Sequence, residues 1–443
     1  MSQIIYDNLL VISYLLIWIL TFVWYQHKRN IFDGGSAIIL SYIVYACFSI
    51  LTLNNPIPIT IYAYEPLKIF PFIYLYVMLM IALSPAIYYH ITPIKAIENP
   101  QTRIINILSI IIIISSIMLI PNIATDLGDG LIKLFTDNDA GKDAYEEQLK
   151  DAVDSGNSIS NLIAIIYNML FDIAVFLGFY LLSLKKKDWL IIIPLFFSFM
   201  VGILMAIMKG QRGVVILNIL TIFAGYTVFR EYISNRINRT IQTLGITCIV
   251  IISLPIVAIT ISRFDNRGGG STISDYLNWY VGQANLYFNN YGLDAGGIRY
   301  GDRTMNLAKR LIDPSTPNNY MERRDKYHSL RLDDDVFSTF VGDFTIDYGP
   351  IIAFIIFAVF NSYVLTQIRV RGDTIKLHQI LLLFFTICIC MQGGMCLFSY
   401  SDTANLRILA FGLLYAYLRY HDALIRCFPL VKNKEQILLS QNK

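Results

Sequence analysis

The chain has 443 residues, of which 55% are hydrophobic and only 15% charged, with a mean hydropathy of +0.54 and a formal net charge of +3. Soluble domains carry about 25% charged residues, so this composition excludes an ordinary soluble protein. The net charge itself says little, and we expect the lipid bilayer, and no nucleic acid, as a partner. The composition predicts an all-α polytopic membrane protein, because backbone in lipid must satisfy its hydrogen bonds within helices.

Hydropathy predicts about eleven membrane spans, because crossing the hydrocarbon core takes about 20 mostly apolar residues. No cation precedes the first apolar run and no small-residue cleavage site follows it, so we expect this run to remain as a membrane helix. In chain order the predicted spans are Ile4–Tyr25, Ser36–Leu53, Phe70–Tyr89, Ile104–Ile120, Ile159–Leu184, Trp189–Ile207, Val214–Phe229, Thr240–Ser262, Gly349–Gln367, Leu377–Phe398 and Ala404–Tyr420.

The lysines and arginines predict the orientation of these spans. One set of alternate loops, together with the C-terminal tail, holds most of the short-loop cations, including the run Lys185, Lys186 and Lys187. Cytoplasmic loops carry such an excess, so we predict an outward N-terminus and a cytoplasmic C-terminus. The turn in "MKGQRGVVIL", which contains Lys209 and Arg212, then faces outward against this bias. Its cations therefore need a reason other than topology.

Two predicted outer loops are large. The first, residues Asn122–Asn157, is acidic, and its stretch "DAYEEQLKDAV" has apolar residues at helical spacing, which predicts a helix lying on the outer surface. The second, Arg263–Tyr348, begins with the glycine-rich stretch "RFDNRGGG". Near its end, Asp334 or Asp335 is predicted to cap a helix that starts at Val336 and continues, with a kink at Pro350, into the ninth span.

A second helix is predicted in the long loop over "SDYLNWYVGQANLYFNN". Five aromatic residues cover most of the circumference outside a single polar stripe: Tyr276, Trp279, Tyr280, Tyr287 and Phe288. So wide an apolar arc predicts a helix that is half-sunk in the membrane interface or packed beneath the rest of the loop. The remaining positions form one polar stripe at steps of three and four: Asp275, Asn278, Gly282, Asn285 and Asn289.

Cations in the outer turn and the long loop indicate an anion-binding site. The guanidinium fork of arginine matches phosphate oxygens two at a time, so the pattern predicts a pyrophosphate or another polyanion held at the membrane surface. The alternative is ordinary solvated charge paired with acidic residues of the same loop. Charge at membrane level is expensive, which favours function for Arg212 and Arg263 in particular. The candidate phosphate-binding residues are Lys209, Arg212, Arg263, Arg267, Arg299 and Arg303.

Three side chains are candidate catalytic bases. His328 is the histidine of the outer loops, and its intrinsic pKa suits proton transfer. Asp343 and Asp347 lie four residues apart, which places both carboxylates on one helix face near the membrane. The alternatives are a solvated histidine, and aspartates that cap a helix or pair with an arginine. Asp172 lies within the fifth predicted span, where an acidic residue is a functional hypothesis by default.

Metal and cofactor chemistry is not predicted. The six cysteines lie in apolar runs or near the C-terminal end, without paired CxxC spacing. Two D-x-D triplets, at Asp137–Asp139 and Asp333–Asp335, are weak signals for a divalent ion because acidic loops often contain them. Nucleotide-binding and hydrolase motifs are absent from the sequence.

The layout resembles that of the oligosaccharide repeat unit polymerases, the Wzy-type O-antigen and capsule polymerases of bacteria. Many spans, a "KGQRG" turn before an apolar helix and a long outer loop entered by an arginine carry this resemblance. Two local stretches sharpen it. "YVGQANLYFNNYG", Tyr280–Gly292, looks like the family's stretch opening the long loop, and "DVFSTFVGDFTIDYG", Asp335–Gly349, looks like its aromatic segment before the next span.

The resemblance implies a membrane glycosyltransferase with a GT-C-like architecture in the bacterial cytoplasmic (inner) membrane. Such enzymes use two polyprenyl-pyrophosphate-linked oligosaccharides at the outer membrane face. They transfer the growing glycan from its lipid pyrophosphate to a hydroxyl of the incoming repeat unit, and the resemblance adds a chain-length regulator protein as a partner. The family's essential loop arginines map onto Arg212 and Arg263, and its D-x-G element maps onto Asp347 and Gly349.

Other functions remain open at this point. A ligase that moves the finished glycan onto another lipid shares the donor chemistry, and the sequence barely separates it from a polymerase. A transporter or flippase of lipid-linked oligosaccharide would place ionisable residues or broken helices near mid-membrane and usually shows two related halves. Here ionisable residues within spans are sparse and no half repeats the other. A receptor or scaffold leaves the arginine-rich loop unexplained.

Overall fold

The computed structural model describes residues 3–29, 32–55, 64–91, 96–98, 102–136, 159–209, 211–264, 272–317, 320–333, 336–369, 374–397 and 402–427. Over these residues the chain is almost entirely helical. The helices are α1 (Gln3–Arg29), α2 (Gly34–Leu53), α3 (Ile69–Ile91), α4 (Thr102–Thr136), α5 (Ile159–Ser183), α6 (Trp189–Met208), α7 (Arg212–Phe229), α8 (Asn235–Phe264), α9 (Ile273–Tyr287), α10 (Asn306–Ile312), α11 (Tyr320–Asp325), α12 (Thr339–Ile368), α13 (Leu377–Gln392) and α14 (Asp402–Cys427). Two short strands, β1 (Ala96–Glu98) and β2 (Thr374–Lys376), complete the fold.

Within the described residues, nine helices are long and apolar enough to cross a membrane: α1 to α8 and α12. The prediction of an all-α polytopic membrane protein is therefore confirmed. The last two predicted spans correspond to α13 and α14. Helix α13 is apolar but has only 16 residues, because the pair Gly393–Gly394 ends it before the predicted boundary at Phe398.

The helix bounds differ from the predicted spans at two places. Helix α4 continues past Ile120 to Thr136 and so takes up the start of the predicted acidic loop, whereas the predicted surface helix lies outside the described residues. Helix α12 begins at Thr339 and not at Val336. Gly349 interrupts α12 with φ 78° and ψ 162°, a conformation that favours glycine, directly before Pro350. The predicted kink is confirmed.

The core of the bundle is built around α5. Residues 170–182 of this helix are all buried, because α4, α6, α7 and α14 pack around it. The ring of Phe176 packs against Phe229 of α7 and Phe384 of α13, with centroid distances of 5.4 and 5.5 Å. Lipid tails are as apolar as these rings, so the rings stabilise the bundle through close van der Waals packing. Packing of these helices fixes the positions of their ends, and the candidate residues lie at those ends and in the loops that follow them.

Contacts between loops separate the helix ends into two groups. On one side, here called the strand side, β1 pairs with β2 in parallel, and Arg29 of α1 binds Glu231 after α7 at 3.1 Å. On the other, the long-loop side, the amide of Asn54 after α2 donates to Asn8 of α1 at 2.9 Å, and Lys68 and Asn289 exchange two hydrogen bonds. This grouping is the one that alternating spans require.

Helix α9 of the long loop packs directly across α2. Gly282 lies so close that a Cβ atom there would approach the carbonyl oxygen of Phe48 to 2.2 Å. Ser49 donates to the carbonyl of Gly282 at 2.9 Å, and Thr52 donates to that of Asn278 at 2.7 Å. The polar stripe of α9 therefore faces the membrane helix α2.

The apolar arc of α9 packs against the rest of the long loop. Tyr276, Trp279 and Tyr287 form a buried cluster with Tyr291 and Val336. Of the two predicted arrangements, packing beneath the loop is the one observed. A π-helical segment, Phe288–Gly292, continues α9 and brings its asparagines to the chain before α3.

Candidate functional site

The turn between α6 and α7 is short and closed by main-chain hydrogen bonds. The amide of Lys209 donates to the carbonyl of Met205 at 3.2 Å, and the amide of Gln211 donates to that of Ala206 at 2.8 Å. The side chain of Lys209 is exposed, whereas Arg212, the first residue of α7, is only 5% exposed. The two cations of the turn thus have different surroundings.

Arg212 contacts the long loop through an aromatic ring. Its guanidinium carbon lies 4.5 Å from the ring centroid of Tyr280 on α9, a distance typical of a cation–π interaction. The ring of Tyr280 in turn meets Phe337 edge-on at 5.4 Å. The structure therefore brings the short turn and the long loop together at one place. In the sequence, Tyr280 is one of several aromatic residues of α9, and nothing distinguishes it from its neighbours.

The segment from Arg299 to Thr304 is fixed onto the first half of α12. The amides of Arg299 and Tyr300 donate to the carbonyls of Ile346 and Asp347 at 3.0 and 2.9 Å. The Asp347 carboxylate accepts the amides of Arg303 and Thr304 and the Thr304 hydroxyl at 2.7–3.1 Å. Asp347 is fully buried. Its carboxylate holds loop backbone in place.

Asp343 holds the same segment through a side chain. Its Oδ1 atom accepts the Nε and Nη2 groups of Arg303 at 3.0 and 2.9 Å, and its Oδ2 atom accepts the amide of Leu397 at 2.6 Å. Both members of the ion pair are buried, Arg303 to 1% exposure. A buried ion pair must recover its desolvation cost through such hydrogen bonds. We call Arg303, Thr304, Asp343, Asp347 and the Leu397 amide the anchoring cluster.

The other predicted residues lie in different surroundings. Arg299 is buried, with its guanidinium carbon 5.6 Å from the ring centroid of Tyr327. His328 is exposed, and its Nδ1 atom lies 2.9 Å from the carbonyl oxygen of Asp325 in its own turn. Arg263 belongs to the last turn of α8. Its side chain and the whole of Arg267 lie outside the described residues.

Asp172, the acidic residue predicted within a span, has a partner on another helix. The Nη1 atom of Arg407 on α14 lies 3.9 Å from its Oδ1 atom. Among the described residues, this oxygen accepts no hydrogen bond. Arg407 itself donates from Nε to the carbonyl of Asn168 at 2.7 Å. The sequence shows both charges but gives no sign that α5 and α14 are neighbours.

Helix α10 joins the long loop to the start of α14. The side-chain amide of Asn306 donates to the Asp402 carboxylate at 2.9 Å, and the side-chain amide of Asn405 donates to that of Asn306 at 2.6 Å. Arg310 pairs with the same Asp402 carboxylate at 2.5 Å. Burial acts to lower the pKa of Lys309, but its hydrogen bonds to Asp302 and Tyr327 outweigh this and raise that pKa. Lys309 is therefore a charged structural contact within the loop.

Comparison with protein-family models, curated proteins and solved structures finds no match for this chain. A search of the described residues for three or more clustered histidine, cysteine, aspartate or glutamate side chains finds no group that could hold a metal ion. The description of the candidate site therefore rests on the geometry of its residues. This site has buried arginines, two aspartates that fix the loop, and the contact between Arg212 and Tyr280.

Proposed function

We propose that the protein polymerises lipid-linked oligosaccharide repeat units. In this reaction the bond between the growing glycan and its polyprenyl pyrophosphate breaks, and a hydroxyl oxygen of the incoming lipid-linked unit forms the new glycosidic bond. The hydroxyl proton passes to a base, and polyprenyl pyrophosphate leaves. Negative charge grows on the pyrophosphate during this step, so fixed cations that meet it lower the barrier.

The observation that carries this proposal is the contact between Arg212 and Tyr280. The resemblance assigns phosphate binding to a short turn and to a long loop that are separate in the sequence. In the structure the guanidinium carbon of Arg212 lies 4.5 Å from the ring centroid of a long-loop residue. A cation held rigidly against this ring is preorganised and needs little rearrangement to meet a diphosphate.

The anchoring cluster suggests a division of roles among the candidate residues. We assign Lys209, Arg212 and Arg263 to the pyrophosphate. Because Arg303 is bound to Asp343 and the Asp347 carboxylate accepts loop amides, we assign these three residues to positioning. Arg299 lies in the same fixed segment and receives the same role. His328, which is exposed, is then the strongest of the three candidate bases.

The proposed function also requires a particular number and orientation of spans. We propose α13 and α14 as the tenth and eleventh spans of a GT-C-like enzyme in the bacterial cytoplasmic membrane. The long-loop side then faces outward, where lipid-linked repeat units are joined. Labelling of single cysteines in Arg263–Tyr348 of cells with intact membranes tests this directly. Reagents confined to the outside should reach this segment, and labelling from the cytosol alone contradicts the proposal.

The decisive experiment supplies purified protein in lipid nanodiscs with a synthetic polyprenyl-pyrophosphate oligosaccharide. We expect a ladder of lengthened chains. Arg212→Ala should lower the rate by about 100-fold, as loss of one charge-stabilising donor does in other enzymes. Arg212→Lys should recover part of this rate, because lysine keeps the charge but loses the two-pronged geometry. Full activity of Arg212→Ala would remove this site from the reaction.

The ladder assay also has a matched control variant. Arg331→Ala removes a half-exposed arginine of the same loop, paired with Glu65 at 3.3 Å, and should leave the ladder unchanged.

The products of the same assay separate the alternative functions. Transfer onto a different lipid without lengthening would indicate a ligase. Passage of lipid-linked sugar across the bilayer without a new bond would indicate a transporter, a function that the pair Asp172–Arg407 favours because it lies within the spans.

A further inference from the structure

Two aliphatic side chains of the long loop are almost completely exposed. Leu311 and Ile312, which end α10, have exposed fractions of 82% and 85%. Nearby in the same segment, Tyr300 and Met305 are 67% and 53% exposed. Covering one large aliphatic side chain stabilises a structure by about 1.5–3 kcal/mol relative to leaving it in water. A pair of uncovered residues at one helix end therefore indicates an apolar partner.

Helix α10 is held in a fixed place relative to the membrane helices. Arg310, directly before the exposed pair, binds Asp402 in the first turn of α14. Asn306, at the other end of α10, binds Asp402 and Asn405. Both ends of α10 are thus tied to the end of α14 on the long-loop side, so Leu311 and Ile312 cannot move far from it.

The helices next to this segment also expose large apolar side chains. Beyond its first turn, α14 exposes Leu409 and Leu413 to 50% and 63%. Thr304, two residues before α10, contacts Tyr348 of α12 at 2.9 Å, and Ile351, further along α12, is 76% exposed. On spanning helices such side chains face hydrocarbon. Hydrocarbon is therefore the apolar partner nearest to the exposed pair at the end of α14.

We propose that Leu311 and Ile312 insert into the hydrocarbon of the leaflet on the long-loop side and anchor the loop to the membrane surface. Arg310, directly before the pair, stays bound to Asp402 and so holds the pair at the end of α14. The bilayer itself, and not a second protein chain, is the partner of this surface. The inference rests on the proposal that α14 spans the membrane and holds whichever reaction the protein catalyses.

Photocrosslinking of the full-length protein tests this anchor. The photoreactive residue p-benzoylphenylalanine replaces Leu311 or Ile312, or the exposed Ser315 and Ser329 of the same loop as matched controls. After irradiation in phospholipid nanodiscs, mass spectrometry of the intact protein measures lipid adducts. We expect adducts at positions 311 and 312 at several times the yield of positions 315 and 329. Yields equal to the controls, or crosslinks to a second protein chain, would overturn the proposal.

A second measurement uses a natural side chain at the same place. Leu311→Trp, compared with the parent protein, reports acyl-chain contact through quenching by phospholipids brominated along their acyl chains. The added fluorescence should be quenched, while that of Ser315→Trp should not. Equal behaviour of these two variants would show that α10 stays in water and would refute the anchor.

Discussion

Two arginine–aspartate pairs in this protein have the same residue types and very different surroundings. Arg303 and Asp343 are both buried, whereas the side chain of Arg407 is 25% exposed and that of Asp172 is 12% exposed. In the pair Arg303–Asp343, two nitrogens contact one oxygen at 2.9–3.0 Å, and the second oxygen accepts a main-chain amide. In the pair Arg407–Asp172, Nη1 and Oδ1 lie 3.9 Å apart, and that oxygen accepts no hydrogen bond within the described residues. The residue types alone do not separate these two pairs.

The difference shows what gives a buried charge a structural role. Desolvation penalises both aspartates, and only specific donors offset that penalty. Asp343 receives them because the fixed loop and the segment after α13 both point donors at it. Asp172 has a hydrogen bond with Thr221 and faces Arg407 only at 3.9 Å, and that arginine also donates to the carbonyl of Asn168. We therefore expect the first pair to stabilise the fold and the second to be close to neutral.

The largest expected effect is that of Asp343→Asn. The substitution leaves the buried guanidinium of Arg303 without its counter-charge, which should lower the free energy of unfolding by about 3–5 kcal/mol. Denaturant titration of the purified protein in detergent measures this. The control is Glu65→Gln, which alters the exposed pair with Arg331 and should cost less than about 1 kcal/mol. Equal effects of the two variants would contradict a structural role for Asp343.

An intermediate effect is expected for Thr304→Val in the anchoring cluster. It removes the hydroxyl that donates to Asp347 and also bonds with the Tyr348 hydroxyl, while the two main-chain donors to Asp347 stay in place. We expect a loss of about 1–3 kcal/mol, the size of two hydrogen bonds. Thr240→Val is the matched control, because Thr240 is exposed and bonds only within its own helix. If the control costs as much, the bond to Asp347 contributes nothing specific.

The smallest expected effect is that of Asp172→Asn. The isosteric amide removes a desolvated charge whose Oδ1 atom accepts no hydrogen bond within the described residues, and Arg407 keeps the carbonyl of Asn168. The free energy of unfolding should change by less than about 1 kcal/mol, because Arg407 is partly exposed and water compensates its charge when the carboxylate is gone. The same denaturant titration checks it against Asp343→Asn. A loss matching that variant would show that distance and donors do not explain the difference.

The sequence predicts the membrane helices well, because their driving force is local. Each span is an apolar run, and nothing beyond that run is needed to place it in lipid. The kink at Gly349 and Pro350 is equally local. Helix ends are less well predicted, since Gly393 and Gly394 end α13 within an apolar run and α4 continues into an acidic one.

The candidate site depends on contacts between distant segments, which the sequence does not show. The spacing of Asp343 and Asp347 predicts that both carboxylates lie on one helix face, and pairing with an arginine is one of the roles that the sequence allows for them. Identifying that arginine as Arg303 requires the folded loop. The polar stripe of α9 is visible in the sequence, but that it covers α2 at Gly282 depends on how two helices meet. The contact between Arg407 and Asp172 likewise depends on α5 and α14 being neighbours, which the sequence does not show.

The strand pair on the strand side has a consequence for the order of assembly. Ala96–Glu98 pairs with Thr374–Lys376, and most of the chain lies between them. Chains are made from the N-terminus and begin to fold in that order, so the first strand is synthesised long before its partner. This sheet is therefore among the last contacts to form. It closes only when nearly all the helices have been made, and a nascent chain that stops before Thr374 leaves the first strand unpaired.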